Sequence, residues 1–525
     1  MDRRLALRQL VTISSASRRG ALPRLVPAAR FKPTSFRRHA SNVPRAPLPM
    51  PPDMPRENYA EPAMYTVSYL SRVIKFLIYG AVGLGITGYA SFEGLHLYVE
   101  NVCLATPSRD PSGDEYGWQE ENQGWTGGAK GGTDSRLGWK ARHALRGAWI
   151  CQEWGAGGTR ASIGRSVHPD FRGMIGSKIN KVDRGYELAE EYIDIAIAEA
   201  RKRGLVFPPN ISAVSSTPET LTTGADPTAV DLLLLKAGVL ERIATPQTLG
   251  QAKDIYERVL AASGSEAPAQ QAKTMRLAGK VGDLSARLGE GGADWWAWGL
   301  RRAGVTVPEP PEPVAKGWFK SASKRAPVST ESTSTTAPSP LSPPVLRATI
   351  SLLISTEANL ALSSQLERAA SVQDFAAALI PTITPSSPES ALHDLWLSHR
   401  ASLLLLHRAN VFHALSRPAL ELATAASVQS DGALLAIPTY PTSNPLYPAA
   451  KLLHRDAAAT SAEAAWTKGL LLEKTDLEHA SDCFEKAMAL VEERGSDWEK
   501  YWRSFARVRS RMEAAMPSEA DLNNE

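Results

Sequence analysis

Four of the ten histidines, His393, His399, His407 and His413, fall in one stretch whose apolar pattern predicts a helix over Glu389–Leu415. Imidazoles gathered on one helical face are the raw material of a metal site. His393 and His407 share a face, but at 1.5 Å per residue they stand about 21 Å apart. One ion cannot bridge that gap, and neither Glu-x-x-His nor His-Glu-x-x-His accompanies them, so packed or solvated histidines are the expectation. Gly127-Gly128-Ala129-Lys130-Gly131-Gly132 offers a phosphate-cradling composition, yet Lys130 is not followed by Ser or Thr and no strand pattern precedes it. Gly155-Ala156-Gly157-Gly158 lacks a preceding strand as well. There is no Gly-x-Ser-x-Gly elbow and no dinucleotide fingerprint in a strand–turn–helix context. Cys103, Cys151 and Cys483 form no close pair; a Cys103–Cys151 disulfide would need an oxidising space, and free buried thiols are favoured. No catalytic residue, metal, cofactor or small-molecule substrate is therefore expected. An enzymatic site, if there were one, would belong to the Gly- and Trp-rich stretch 105–182.

What recurs in this chain is a packing pattern. Ala480, Phe484 and Ala487 are spaced by four and three residues, and Ala252, Tyr256 and Val259 repeat that spacing. On a helix, where each residue turns about 100°, such offsets fall on one face. Small residues at its ends let a neighbouring helix come close, and the aromatic fills the remaining space. Around Ala252 the punctuation is that of a hairpin. Asp226-Pro227 and Thr245-Pro246 are N-cap and first-turn pairs, so "TAVDLLLLKAGVLERIA" and "QTLGQAKDIYERVLAA" are two antiparallel helices. A third helix is predicted over Ala267–Leu288, where Ala278-Gly279 echoes Ala237-Gly238. A fourth, Ala293–Ala303, carries Trp295, Trp296 and Trp298, most simply as core or cap. Upstream, Ala141, Leu145, Ala148 and Gln152 make one stripe, and Ala189, Ile193, Ala196 and Ala200 another. The basic link Gly155–Lys181 between them is taken as a solvated loop. Residues 305–345 have the Pro, Ser and Thr composition of a linker. Helical pattern resumes at Leu346–Ala370, Val372–Leu379, Glu389–Leu415, Ala449–Leu472, Leu477–Glu493 and Trp498–Ala515. No credible strand alternation appears.

Phe76–Phe92 is uncharged, and with its flanks the apolar run passes the roughly 20 residues that span a hydrocarbon layer. Lys75 and Glu93 can reach the interface, and Tyr79, Tyr89 and Tyr98 suit headgroup level. Ala81 and Gly85 are four apart, a spacing that permits close helix association in a bilayer. Residues 1–50 hold ten Arg and one Lys against one acid, Asp2, with abundant Ser and Ala: the composition of a mitochondrial transit peptide. Arg56, Arg72 and Lys75 precede the span, and Glu93, Glu100, Asp110, Asp114 and Glu115 follow it. Positive flanks stay inside, so the N-terminus is expected in the matrix and the rest in the intermembrane space. The net charge of +4 on 525 residues does not suggest a nucleic-acid binder.

The Ala480-Phe484-Ala487 and Ala252-Tyr256-Val259 faces, with Gly469 and Gly238 on the helices before them, resemble the tetratricopeptide repeat. Both hairpins depart from its usual loop length and lack its closing Pro. Together with a leader and one crossing, the arrangement is similar to the tetratricopeptide adaptor subunit of the fungal mitochondrial i-AAA protease supercomplex. That resemblance implies an all-α protein: a single N-terminal transmembrane helix and then a helical-hairpin solenoid. It also implies an inner-membrane adaptor with protein partners, an AAA protease and unfolded polypeptides. First-helix residues would line the peptide-binding surface, here Asp231, Leu234, Leu235 and Gly238. A structural or assembly factor for an inner-membrane complex is the alternative. The expected organisation is transit peptide (1–45), linker (46–72), transmembrane helix (73–99), Gly/Trp-rich region with one helix (100–182), first helical half (183–304), linker (305–345), second helical half (346–515) and tail (516–525).

Overall fold

The computed structural model describes residues 60–105, 114–121, 125–127, 131–154, 184–209, 224–263, 268–307, 341–381, 385–491 and 496–515, and among these every regular element is a helix. The expected transit peptide, the basic link Gly155–Lys181 and most of the Pro/Ser/Thr linker lie outside the described residues. The chain divides into two compact units. Among the described residues, one comprises 60–103 and the other 104–515.

In the first unit, helix α1 runs over Ala60–Tyr98 and continues as one π-helical turn, Val99–Cys103. It begins well before Val73, inside the stretch 46–72 expected to be linker. Residues 63–72 contain neither Gly nor Pro, and Pro62 falls in the first turn, where its missing N–H costs nothing. Phe76, Leu77, Leu84 and Ile86 all stand exposed along it. The Thr66 and Thr87 hydroxyls donate to the carbonyls of Pro62 (2.7 Å) and Gly83 (2.8 Å), so the helix satisfies its own polar groups. The helix is long and apolar enough to cross a membrane.

In the second unit, α2 (Trp118–Glu121) is a single turn, followed by α3 (Gly138–Glu153), α4 (Arg184–Lys202), α5 (Pro227–Ile243), α6 (Pro246–Ala262), α7 (Pro268–Leu288) and α8 (Ala293–Arg302). After the linker come α9 (Pro343–Leu362), α10 (Leu366–Ala378), α11 (Pro388–Ala414), α12 (Leu420–Ala436), α13 (Tyr447–Leu472), α14 (Leu477–Ala489) and α15 (Ser496–Ala515). From α3 onward each helix packs chiefly on its neighbours in sequence. A second order begins at α7: α7 packs on α9, α9 on α11, and α11 on α13. Those four alternate helices therefore form one continuous layer.

Local chemistry accounts for the element ends. Asp226 accepts from the Thr228 N–H at the start of α5, and Thr245 and Thr248 form a reciprocal capping box at α6. Ser387 and Ser390 do the same at α11. Pro343 and Pro344, read from sequence as the end of the linker or outside any helix, form the first turn of α9. The helix expected over Leu346–Ala370 is broken into α9 and α10. Ser363 turns its hydroxyl back to the Asn359 carbonyl (2.8 Å) and Ser364 takes a left-handed φ of 62°. Helix α12 was absent from the sequence reading. Its buried face is Ala423, Ala426, Ala433 and two serines, while Val428 and Leu435 are exposed, so no apolar stripe announces it.

Helix α9 also has the length and apolarity of a span, but over half of its apolar window is buried in the protein and it carries buried Arg347 and Glu357. It is a core helix. Leu352 of α9 sits where Cβ atoms on Gly279 of α7 (3.1 Å) and Gly299 of α8 (2.8 Å) would meet it, so those glycines set the approach of three helices.

Candidate functional site

The residues singled out by spacing fall in two places in the second unit. Ala252, Tyr256 and Val259 are buried in the core shared by α3 to α7, and the Tyr256 hydroxyl donates to Glu241 (3.1 Å). Burial, with Glu241 beside it, raises that phenol well above its ordinary pKa. Ala480, Phe484 and Ala487 are fully buried in the core of α13, α14 and α15. A Cβ on Gly469 would stand 2.7 Å from the Phe484 ring, so the ring lies directly on that glycine. Gly238 is different. Nothing lies within 4 Å of where its Cβ would be, so it mediates no close helix approach; Gly279, its sequence echo, does. Ala81 is exposed on α1, and Gly85 has open space around it.

Asp231, Leu234, Leu235 and Gly238 are half-buried on α5, with both leucines packed against the edge of the core. A groove opens elsewhere on the helix, at Leu233 and Lys236. It holds about 310 Å³ between α4, α5 and α6, and its charged lining is Asp194, Arg201, Lys236 and Arg258. Lys236 donates to Asp194 (2.6 Å), Arg258 donates to the Pro208 carbonyl (2.7 Å), and Arg201 lies over Phe207 (5.1 Å). These charges are already engaged within the protein.

The layer of α7, α9, α11 and α13 carries the more distinctive site. Across it lies Asp114–Glu121, a segment sequence reasoning placed in a plain loop. Trp118 is buried among Leu392 of α11 and Leu446, Ala450 and Leu453 around the start of α13. Its indole N–H donates to the Glu389 carbonyl (3.1 Å). Over its ring, 3.8 Å from the centroid, stands the Arg347 guanidinium of α9, a cation–π contact. Arg347 also donates to Glu121 through Nε (3.0 Å) and Nη2 (2.6 Å), and to the Tyr116 carbonyl (2.6 Å). Arg276 of α7 donates to the same Glu121 carboxylate (2.6 Å). Asp114 caps the turn by accepting from the Trp118 N–H (2.8 Å). Gly117 adopts φ +66°, and a Cβ there would press on Pro344 at 3.1 Å. Arg347 is only 2% exposed, and burial weakens its hold on its proton despite Glu121. The signal in the sequence was an arginine inside the apolar run "PPVLRATISLLI".

The histidines do not converge. His393 shares a hydrogen bond with Arg347 (3.1 Å), and His399 one with Thr460 (2.9 Å). His407 is bonded to buried Glu357, which also accepts from Gln373 (2.7 Å), and His413 is exposed. Burial, aided by Arg347 in one case and Arg400 in the other, pushes His393 and His399 down to about 3. Among the described residues no three His, Cys, Asp or Glu side chains are placed to hold a metal ion. Cys103, Cys151 and Cys483 are free thiols. No family model matches this chain, and no curated protein or solved structure matches it.

Proposed function

We propose that this protein is a membrane-anchored adaptor whose stacked helical hairpins bind polypeptides. In this reading the hairpins are tetratricopeptide-like, α1 crosses the mitochondrial inner membrane, and the helical unit works in the intermembrane space. Delivery of polypeptides to a membrane-bound AAA protease is the task that fits best. The observation that carries the reading is the layer of α7, α9, α11 and α13, each helix packed on the next alternate one. In stacked-hairpin proteins the first helices of successive hairpins make such a layer, and it offers an extended surface for peptides. That surface is already covered by a short piece of polypeptide, Asp114–Glu121, a turn leading into one turn of helix. An exposed apolar helix before the hairpins supplies the anchor.

Proximity labelling from the C-terminus in intact mitochondria, combined with co-purification in mild detergent, tests this. Intermembrane-space neighbours and a membrane protease are expected. Matrix neighbours alone would overturn the placement. Recovery of one assembled complex, whose loss on deletion leaves proteolysis unchanged, would replace the adaptor reading with that of an assembly factor.

A further inference from the structure

We propose that the layer of α7, α9, α11 and α13 is a recognition site for polypeptide segments bearing a Trp followed three residues later by an acid, and that Asp114–Glu121 is its resident, exchangeable occupant. The inference deepens the adaptor reading and rests on it for its biological partner.

Three observations carry it. First, the contacts are those of ligand recognition. An aromatic ring enters an apolar slot under a cation, and a carboxylate three residues on is held by Arg347 and Arg276 from two helices. Trp118 and Glu121 are i and i+3 on a single turn, so both reach the same guanidinium. Second, the occupant brings little structure of its own. It is one turn of helix, anchored to residues far along the chain, with Pro107, Pro111 and Gly113 before it and Gly124, Gly127 and Gly128 after it in sequence. Third, Arg347 is 2% exposed with the segment in place, and Trp118, the Tyr116 carbonyl and Glu121 of that segment are what cover and pair it. A segment that replaces it is therefore expected to bring an aromatic ring and a carboxylate of its own. Of the thirteen tryptophans, Trp118 alone is followed three residues later by an acid, so the chain holds one such occupant.

A tethered occupant competes at an effective concentration on the order of millimolar, so an external segment is expected to bind the intact protein weakly. The probe is a fluorescent synthetic peptide with the sequence of residues 112–123, titrated by polarisation against the full chain in nanodiscs. Vacating the face with Trp118→Ala and Glu121→Gln together is expected to tighten peptide binding at least 10-fold. A peptide with Ala at the Trp position is expected to bind at least 10-fold more weakly than the parent. Arg276→Gln, which removes one contact at a half-exposed side chain, is expected to weaken binding several-fold in the vacated protein. Should the vacated protein melt early, protease sites placed in 106–113 and 122–124 of the otherwise intact chain replace it. After cleavage, labelled peptide is expected to displace the freed segment. A folded, vacated protein that takes up no peptide, or a cleaved protein that keeps its segment or unfolds, overturns the proposal. A vacated protein that ignores this peptide while still co-purifying with polypeptides sinks the inference and leaves the adaptor reading standing. Peptide uptake with no polypeptide partner in mitochondria does the reverse.

Discussion

At the scale of single residues, the buried histidines of α11 have a consequence for stability. His393 and His399 are neutral in the folded protein because burial and a neighbouring arginine hold each near 3, against about 6.5 when the chain is unfolded. The folded pKa is depressed, so between about 6.5 and 3 the unfolded chain binds more protons. The stability these groups contribute is complete above about pH 6.5 and is lost as pH falls through that window. Each histidine is expected to remove about 2 kcal/mol between pH 7 and 5, from the 1.36 kcal/mol that one pKa unit represents. Melting at pH 7 and pH 5 for the protein and for His399→Gln isolates one share. The variant should lose less stability across the interval, by about that amount, and an unchanged difference would mean that His399 titrates normally in the fold. Residue type and spacing alone could exclude a shared metal for His393 and His407, because helical rise is local geometry. They could not reveal that His399 meets Thr460 on α13 or that Glu357 meets His407, since those pairings depend on how α9, α11 and α13 lie on one another.

Among the elements, the same substitution should act with opposite sign at two glycines that the repeat pattern treats as equivalent. Gly238 on α5 has open space where a Cβ would be, so Gly238→Ala should stabilise by roughly 0.5–1 kcal/mol through helix propensity alone. Gly469 on α13 lies under the Phe484 ring, 2.7 Å from the added carbon, and a ring fixed in a full core yields little. Overpacking of about 1–3 kcal/mol should outweigh the same propensity gain. Denaturation midpoints check both; a rise for Gly469→Ala would mean that Phe484 can move aside. Phe484→Ala, which empties the same site, should cost about 3–5 kcal/mol. The helices around these glycines were legible because Asp226-Pro227 and Thr245-Pro246 announce their own starts and the Ala-aromatic-small faces are sided. Helix α12 was not, since its buried side is alanine and serine and its exposed side carries Val428 and Leu435. The role of Asp114–Glu121 was hidden for a further reason: its partners Arg276 and Arg347 are more than 150 residues away, and only tertiary packing brings them to it.

For the molecule as a whole, the anchor proposed for α1 yields a test independent of any partner. Exposed aliphatic and aromatic side chains along Phe76–Phe92 are unfavourable in water, at about 25 cal/mol for each Å² of apolar surface left wet, and favourable in a hydrocarbon layer. The positive residues stand before the span and the acidic ones after it, which supports the proposed orientation. If α1 is that anchor, the protein is expected to stay in the pellet after alkaline carbonate extraction of mitochondria. Its C-terminal epitope should become protease-sensitive when the outer membrane alone is ruptured. Ile78→Arg with Leu84→Arg, both on exposed positions of α1, should add about 2.5–3.5 kcal/mol per arginine to the cost of insertion near the bilayer centre and shift the protein to the supernatant. Neither substitution alters the second unit's core, so circular dichroism of the released protein should retain its helical signal. Release of the unaltered protein by carbonate would remove the anchor from the proposal. An epitope protected until the inner membrane is opened would reverse its orientation.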